Sequence, residues 1–164
     1  MTLLADSSRQ LIAGMVAAAA LLLASPGHAQ TGPFSALGGN WTGTGKILIK
    51  DGGSERIRCR ATYTVASAGS GLTQALRCAS DSYRFDLNTN VTASGSSISG
   101  IWSEISRNIN GTIGGRLSGG DIDALVEANG FAATLEMQTR GNKQTIAIRS
   151  KNTDLRGVDI TLSR

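Results

Sequence analysis

Beyond residue 40 the chain alternates apolar and polar residues with a period of two. In residues 55–65, Ile57, Cys59, Ala61, Tyr63 and Val65 fall on one side, and Arg56, Arg58, Arg60, Thr62 and Thr64 on the other. That period is the signature of a half-buried β-strand. The same pattern recurs over residues 41–50, 72–79, 83–91, 97–107, 111–117, 121–128, 131–139, 143–150 and 155–162. Turn signals separate the segments, among them Asp51-Gly52-Gly53, Ser118-Gly119-Gly120, Asn129-Gly130 and Gly141-Asn142. No segment beyond residue 40 carries helical periodicity. The expected class is all-β, an antiparallel up-and-down β-barrel of about ten strands, with a two-sheet β-sandwich as the alternative. Consecutive short hairpins favour the barrel, which also removes the exposed edges of an open sheet.

The two cysteines test the register. If residues 66–71 form a hairpin loop, Val65 faces Leu72, and stepping back places Cys59 opposite Cys78 on the apolar face. Hairpin and disulfide then support each other. A covalent loop of this size contributes about 3 kcal/mol by restricting the unfolded chain.

The first 29 residues read differently. Residues 11–24, LIAGMVAAAALLLA, form an apolar run shorter than the roughly 20 residues a spanning helix needs. Ser25-Pro26 follows, then Gly27-His28-Ala29, with small residues at the first and third positions before a cut. We expect residues 1–29 to be a cleaved signal peptide, residues 30–38 an N-terminal arm, and residues 39–164 the barrel. The product would be periplasmic or secreted, without a transmembrane segment, in a compartment that keeps Cys59–Cys78 oxidised.

Cleavage would also remove His28, the only histidine. A mature chain without imidazole cannot build a Ser-His-Asp or Cys-His centre or a histidine metal site, so the reading leans away from an enzyme, with no metal and no cofactor. Formal charge is +4, a mild bias toward anionic partners. Few aromatics and no recognisable motif argue against nucleic acid.

Two constellations remain. With Arg60 facing Arg77, a four-residue turn at residues 79–82 would set Arg84 on the far side of Arg77. Three outward arginines in a row would seek a counter-anion, such as an anionic component of the cell envelope. Their bland alternative is a solvated wall balanced by Glu55, Asp81 and Asp86. Among carboxylates, Glu104 shares a face with Trp102 and is the best candidate for acid chemistry, but no second carboxylate stands at a defined spacing from it.

Gly39-Asn40-Trp41, continued by Gly43 and Gly45, resembles the G-x-W strand that opens lipocalins and their calycin relatives; the W-x-G-x-G run is similar to nitrobindin-type barrels. The resemblance implies a barrel with the tryptophan packed across one end and an arginine, Arg156 or Arg164, covering it. Nitrobindin-like haem binding uses a histidine that the expected mature chain lacks, so that activity is not carried over. An interior holding a small apolar or lipid-like ligand would be lined by Trp41, Tyr63, Leu76, Phe85, Trp102 and Phe131. The same side chains would equally make a filled barrel core, the commoner case, and inward glycines at 43, 45 and 100 tilt the balance only slightly toward a cavity. The alternative is an envelope interaction protein, an inhibitor or a structural factor, acting through the outer arginine face or the arm: periplasmic protease and lysozyme inhibitors resemble this chain in size and disulfide content, and the protease inhibitors in an arm placed before a G-x-W strand.

Overall fold

The computed structural model describes residues 32–66, 68–151 and 153–164. The expected signal peptide, its cut after Ala29 and His28 lie outside them. A single 3-10 turn at Ser35–Leu37 precedes ten strands: β1 Gly39–Ile49, β2 Ser54–Val65, β3 Gly71–Ala79, β4 Arg84–Ser94, β5 Ser97–Glu104, β6 Ile109–Ser118, β7 Asp121–Ala128, β8 Phe131–Arg140, β9 Lys143–Ser150 and β10 Leu155–Ser163. Each strand pairs with its chain neighbours, and β1 pairs with β10, so the sheet closes into an antiparallel barrel. The sandwich is thereby excluded. No helix among the described residues is long and apolar enough to cross a membrane.

The alternation dictates the closure. In β2 the burial pattern follows the sequence period, with Ile57, Cys59, Ala61 and Tyr63 inside and the intervening arginines and threonines exposed. Val65 pairs with Leu72, Arg60 with Arg77 and Cys59 with Cys78, and the disulfide joins the last pair. The next hairpin differs from expectation. Its turn holds residues 80–83, so Ala79 pairs with Arg84 and Arg77 with Asp86. The physical reason is local: the Ser80 amide donates to the Tyr83 carbonyl at 2.9 Å, and the Tyr83 amide to the Ser80 hydroxyl at 3.0 Å. These bonds move the turn one residue along the chain from residues 79–82, so each β3 residue meets a β4 partner two residues later than the sequence suggested.

The inward glycines serve the backbone. A Cβ on Gly43 would overlap the Thr161 carbonyl of β10, and one on Gly111 the Glu127 carbonyl of β7. These positions let neighbouring strands approach and coil as a closed barrel requires. At Gly111 the freed space is taken by the Trp102 ring, its directly opposed partner. The glycines are therefore not by themselves a sign of empty volume.

Candidate functional site

The two ends of the barrel differ. At the end where β1 begins, residues 32–38 fold back as a plug. The Phe34 amide donates to the Gly69 carbonyl at 3.0 Å, and Phe34 and Trp41 are each 0 % exposed. The Trp41 indole donates to the Leu37 carbonyl at 2.8 Å and meets the Tyr63 ring edge-on at 6.4 Å. Arg164 lies 4.8 Å over the Trp41 ring, and its guanidinium donates to the Gly38 carbonyl. Of the two arginines considered as covers for the tryptophan, Arg164 takes the position. The arm is thus engaged with its own barrel.

A buried polar chain reinforces this end. Tyr63 donates to Gln144 at 2.7 Å, Gln74 donates to the Tyr63 oxygen at 3.3 Å, and Gln144 donates to the Thr139 hydroxyl at 3.2 Å. Burial pushes the Tyr63 phenol well above its ordinary range, outweighing its hydrogen bonds to Gln144 and Gln74. Tyr63→Phe would strand the Gln144 oxygen in the core. It should cost about 1–3 kcal/mol, read as a shift of the urea midpoint at constant slope. The signal for this network was in the sequence: Gln74 and Gln144 sit at inward parity between leucines and isoleucines, where an amide must find partners.

At the opposite end the inward side chains are aromatic and only half-buried. Tyr83 and Phe85 stack at 6.4 Å with an interplanar angle of 4°, and Trp102 and Phe131 meet at 6.1 Å and 66°. The Trp102 indole donates to the Glu127 carbonyl at 3.2 Å. Leu87, Val126, Leu135 and Ile148 are partly buried behind them. Of the six lining candidates, Phe85, Trp102 and Phe131 stand at this end. Trp41 and Tyr63 belong to the plugged end, and Leu76, 4 % exposed, sits in the packed core. Tyr83, not among those candidates, joins the rim because it closes the β3–β4 turn.

Glu104 has a structural task. One carboxylate oxygen accepts from the Asp86 amide at 3.0 Å and the other from the Arg107 amide at 2.7 Å, with the Arg107 guanidinium at 3.5 Å. Burial raises its pKa, but the Asp86 amide, the Ser106 hydroxyl, the Arg107 amide and the Arg107 charge together outweigh burial and hold it below the ordinary value of 4.5. A carboxyl depressed in the folded state contributes stability that is complete above that value and lost as pH falls through the folded pKa. Glu104→Gln should therefore flatten the loss of stability below about pH 4.5, measured as thermal midpoints across an acid series. Arg107 also lies 5.3 Å over the Phe85 ring, tying this turn to the aromatic rim.

On the outer wall, Arg60 and Arg77 are direct cross-strand partners and Arg84 is diagonal to Arg77. Arg77 contacts Asp86 at 3.3 Å. Among the described residues, no group of three or more histidine, cysteine, aspartate or glutamate side chains is placed to hold a metal ion.

No family model and no curated protein matches the sequence. Solved structures do match the fold. The chain is similar to Rv2717c from M. tuberculosis, with a TM-score of 0.64 and 12% identity, covering 79% of this chain and 93% of that one. It is also similar to the S-type phycobiliprotein lyase CPES from Guillardia theta, with a TM-score of 0.59 and 9% identity, covering 80% and 89%. At such identities the likeness establishes the fold alone: this chain is a closed, ten-stranded antiparallel β-barrel.

Proposed function

We propose that this protein is an exported barrel that holds a small, partly apolar ligand at its aromatic end. The observation that carries the reading is the asymmetry of burial. One end is filled by the buried Phe34, Leu37 and Trp41, whereas Phe85, Trp102 and Phe131 face inward at the other end and stay partly exposed, with Arg107 over the Phe85 ring. Half-exposed aromatic rings around the mouth of a barrel are the usual lining of a site for a small apolar molecule. The similarity to a barrel named as a phycobiliprotein lyase is compatible with that use of the fold. Glu104 and Arg107 neutralise each other beside the rim, which leaves the mouth without a free buried charge among the described residues. Export is supported by the leader-like first 29 residues and by the Cys59–Cys78 bridge.

The interaction-protein alternative loses its best feature, because Phe34 and Leu37 of the arm are buried in the barrel's own end. The test is titration with N-phenylnaphthylamine, a neutral apolar fluorophore. Its emission should rise saturably, and Phe131→Ala or Phe85→Ala should weaken binding by about threefold to tenfold. Binding that ignores both substitutions, or no saturable binding, would overturn the proposal.

A further inference from the structure

The outer wall of β1–β4 carries a recess of about 670 Å³. It is a furrow running across the strands, and the pleat explains its shape. Gly43, Cys59, Cys78 and Phe85 are successive cross-strand partners whose side chains point inward, so only their backbone floors the furrow. The flanking rows point outward. Thr42, Arg60, Arg77 and Asp86 form one wall; Thr44, Arg58, Ala79 and Arg84 form the other. Strand geometry sets the walls about 7 Å apart and the length, three strand steps, at about 14 Å.

The charge in this trench is unbalanced. Arg58, Arg60, Arg77 and Arg84 all line it, and among the described residues only Arg77 has a carboxylate within 4 Å, that of Asp86. Four guanidiniums against one carboxylate leave three positive charges. Arg60 and Arg77 stand directly opposite each other, an arrangement that costs stability unless an anion lies between them. The small side chain of Ala79 keeps Arg58 and Arg84 apart and the floor open, while Thr42 and Thr44 place hydroxyl donors at one end. The Cys59–Cys78 bridge locks the floor from within, so the strands that carry the walls keep their register before any ligand arrives.

We infer that this furrow binds an elongated small anion carrying two or more phosphate groups. Guanidiniums recognise phosphate oxygens in bidentate fashion. Each phosphate brings roughly −1.5 to −2 charges, so two of them in line match the three uncompensated arginine charges. A single phosphate can bridge one pair across the trench, whereas two in line along its length engage both pairs. The site is separate from the aromatic mouth and stands whether or not a ligand is held there.

Isothermal titration of the full chain, disulfide formed, in low-salt buffer tests the inference with tripolyphosphate and inorganic phosphate as probes. Tripolyphosphate should bind saturably and at least about tenfold more tightly than inorganic phosphate. Arg60→Gln with Arg84→Gln, one change per wall, should weaken it by about tenfold or more. Arg116→Gln with Lys143→Gln removes the same charge outside the furrow and should change affinity by no more than about twofold. Phosphatidylcholine vesicles with and without phosphatidic acid separate the sources. Binding to the acidic vesicles that tripolyphosphate displaces indicates phosphates borne on a lipid; tripolyphosphate binding without vesicle binding indicates a free one. Equal losses in the two double variants, equal affinity for the two phosphates, or no saturable binding would overturn the inference. Circular dichroism of each variant verifies that the barrel is intact.

Discussion

Trp41→Ala is expected to destabilise the barrel by about 3–5 kcal/mol, the range for emptying a fully buried aromatic site. The expected magnitude rests on how many separate contacts meet at this ring. It is 0 % exposed, and its indole donates to Leu37, so it fixes the plug to the first strand. Its face carries the Arg164 guanidinium and its neighbour is the Tyr63 edge. Truncation would leave a cavity between the arm and the sheet, remove one indole hydrogen bond and release the C-terminal arginine. Trp102→Ala provides the comparison. That ring is half-buried at the open rim, so its loss should cost markedly less stability and affect ligand binding more. Urea unfolding of both variants beside the parent measures the difference. Equal costs would mean that the two ends are packed alike.

Removing the bridge with Cys59→Ala and Cys78→Ala together should cost about 3 kcal/mol in the chain-entropy model. The cysteines are 19 residues apart in sequence and directly opposed across β2 and β3. Because the bridge acts mainly on the unfolded chain, its loss should lower the urea midpoint and also steepen the transition, since an uncrosslinked denatured chain exposes more surface. Reduction of the parent protein should reproduce the same midpoint. A variant as stable as the parent would show that the hairpin already restricts the denatured chain as much as the bridge does.

Much of the fold was legible because its cause is local. Period-two alternation places β2, β7 and β9 nearly to the residue, and the cysteine pair specifies the β2–β3 register. The β3–β4 turn lies one residue beyond the expected residues 79–82, which shifts every β4 partner by two, because its shape depends on the Ser80 hydroxyl and the Tyr83 amide, a side-chain choice that alternation does not encode. For the same reason Arg84 faces Ala79 rather than Arg77. The site was only half legible. Alternation says that Trp41 and Phe131 both face inward, but not that one lies under a plug and the other at a rim. That distinction depends on residues 32–38 folding back and on Arg164 returning from the far terminus, both long-range events. Inward glycines do not by themselves distinguish space from contact: Gly43 and Gly111 are where neighbouring backbones come too close for a side chain.

The central claim is that one end of this barrel is sealed and the other receives the ligand, and the protein's two tryptophans report on the two ends. Acrylamide quenching of the Trp102→Phe variant reads Trp41 alone, and of the Trp41→Phe variant, Trp102 alone. Trp102 should be quenched several-fold more steeply than Trp41, and saturating N-phenylnaphthylamine should shield Trp102 while leaving Trp41 unchanged. Equal quenching of the two rings, or a fluorophore that shields neither, would contradict the account.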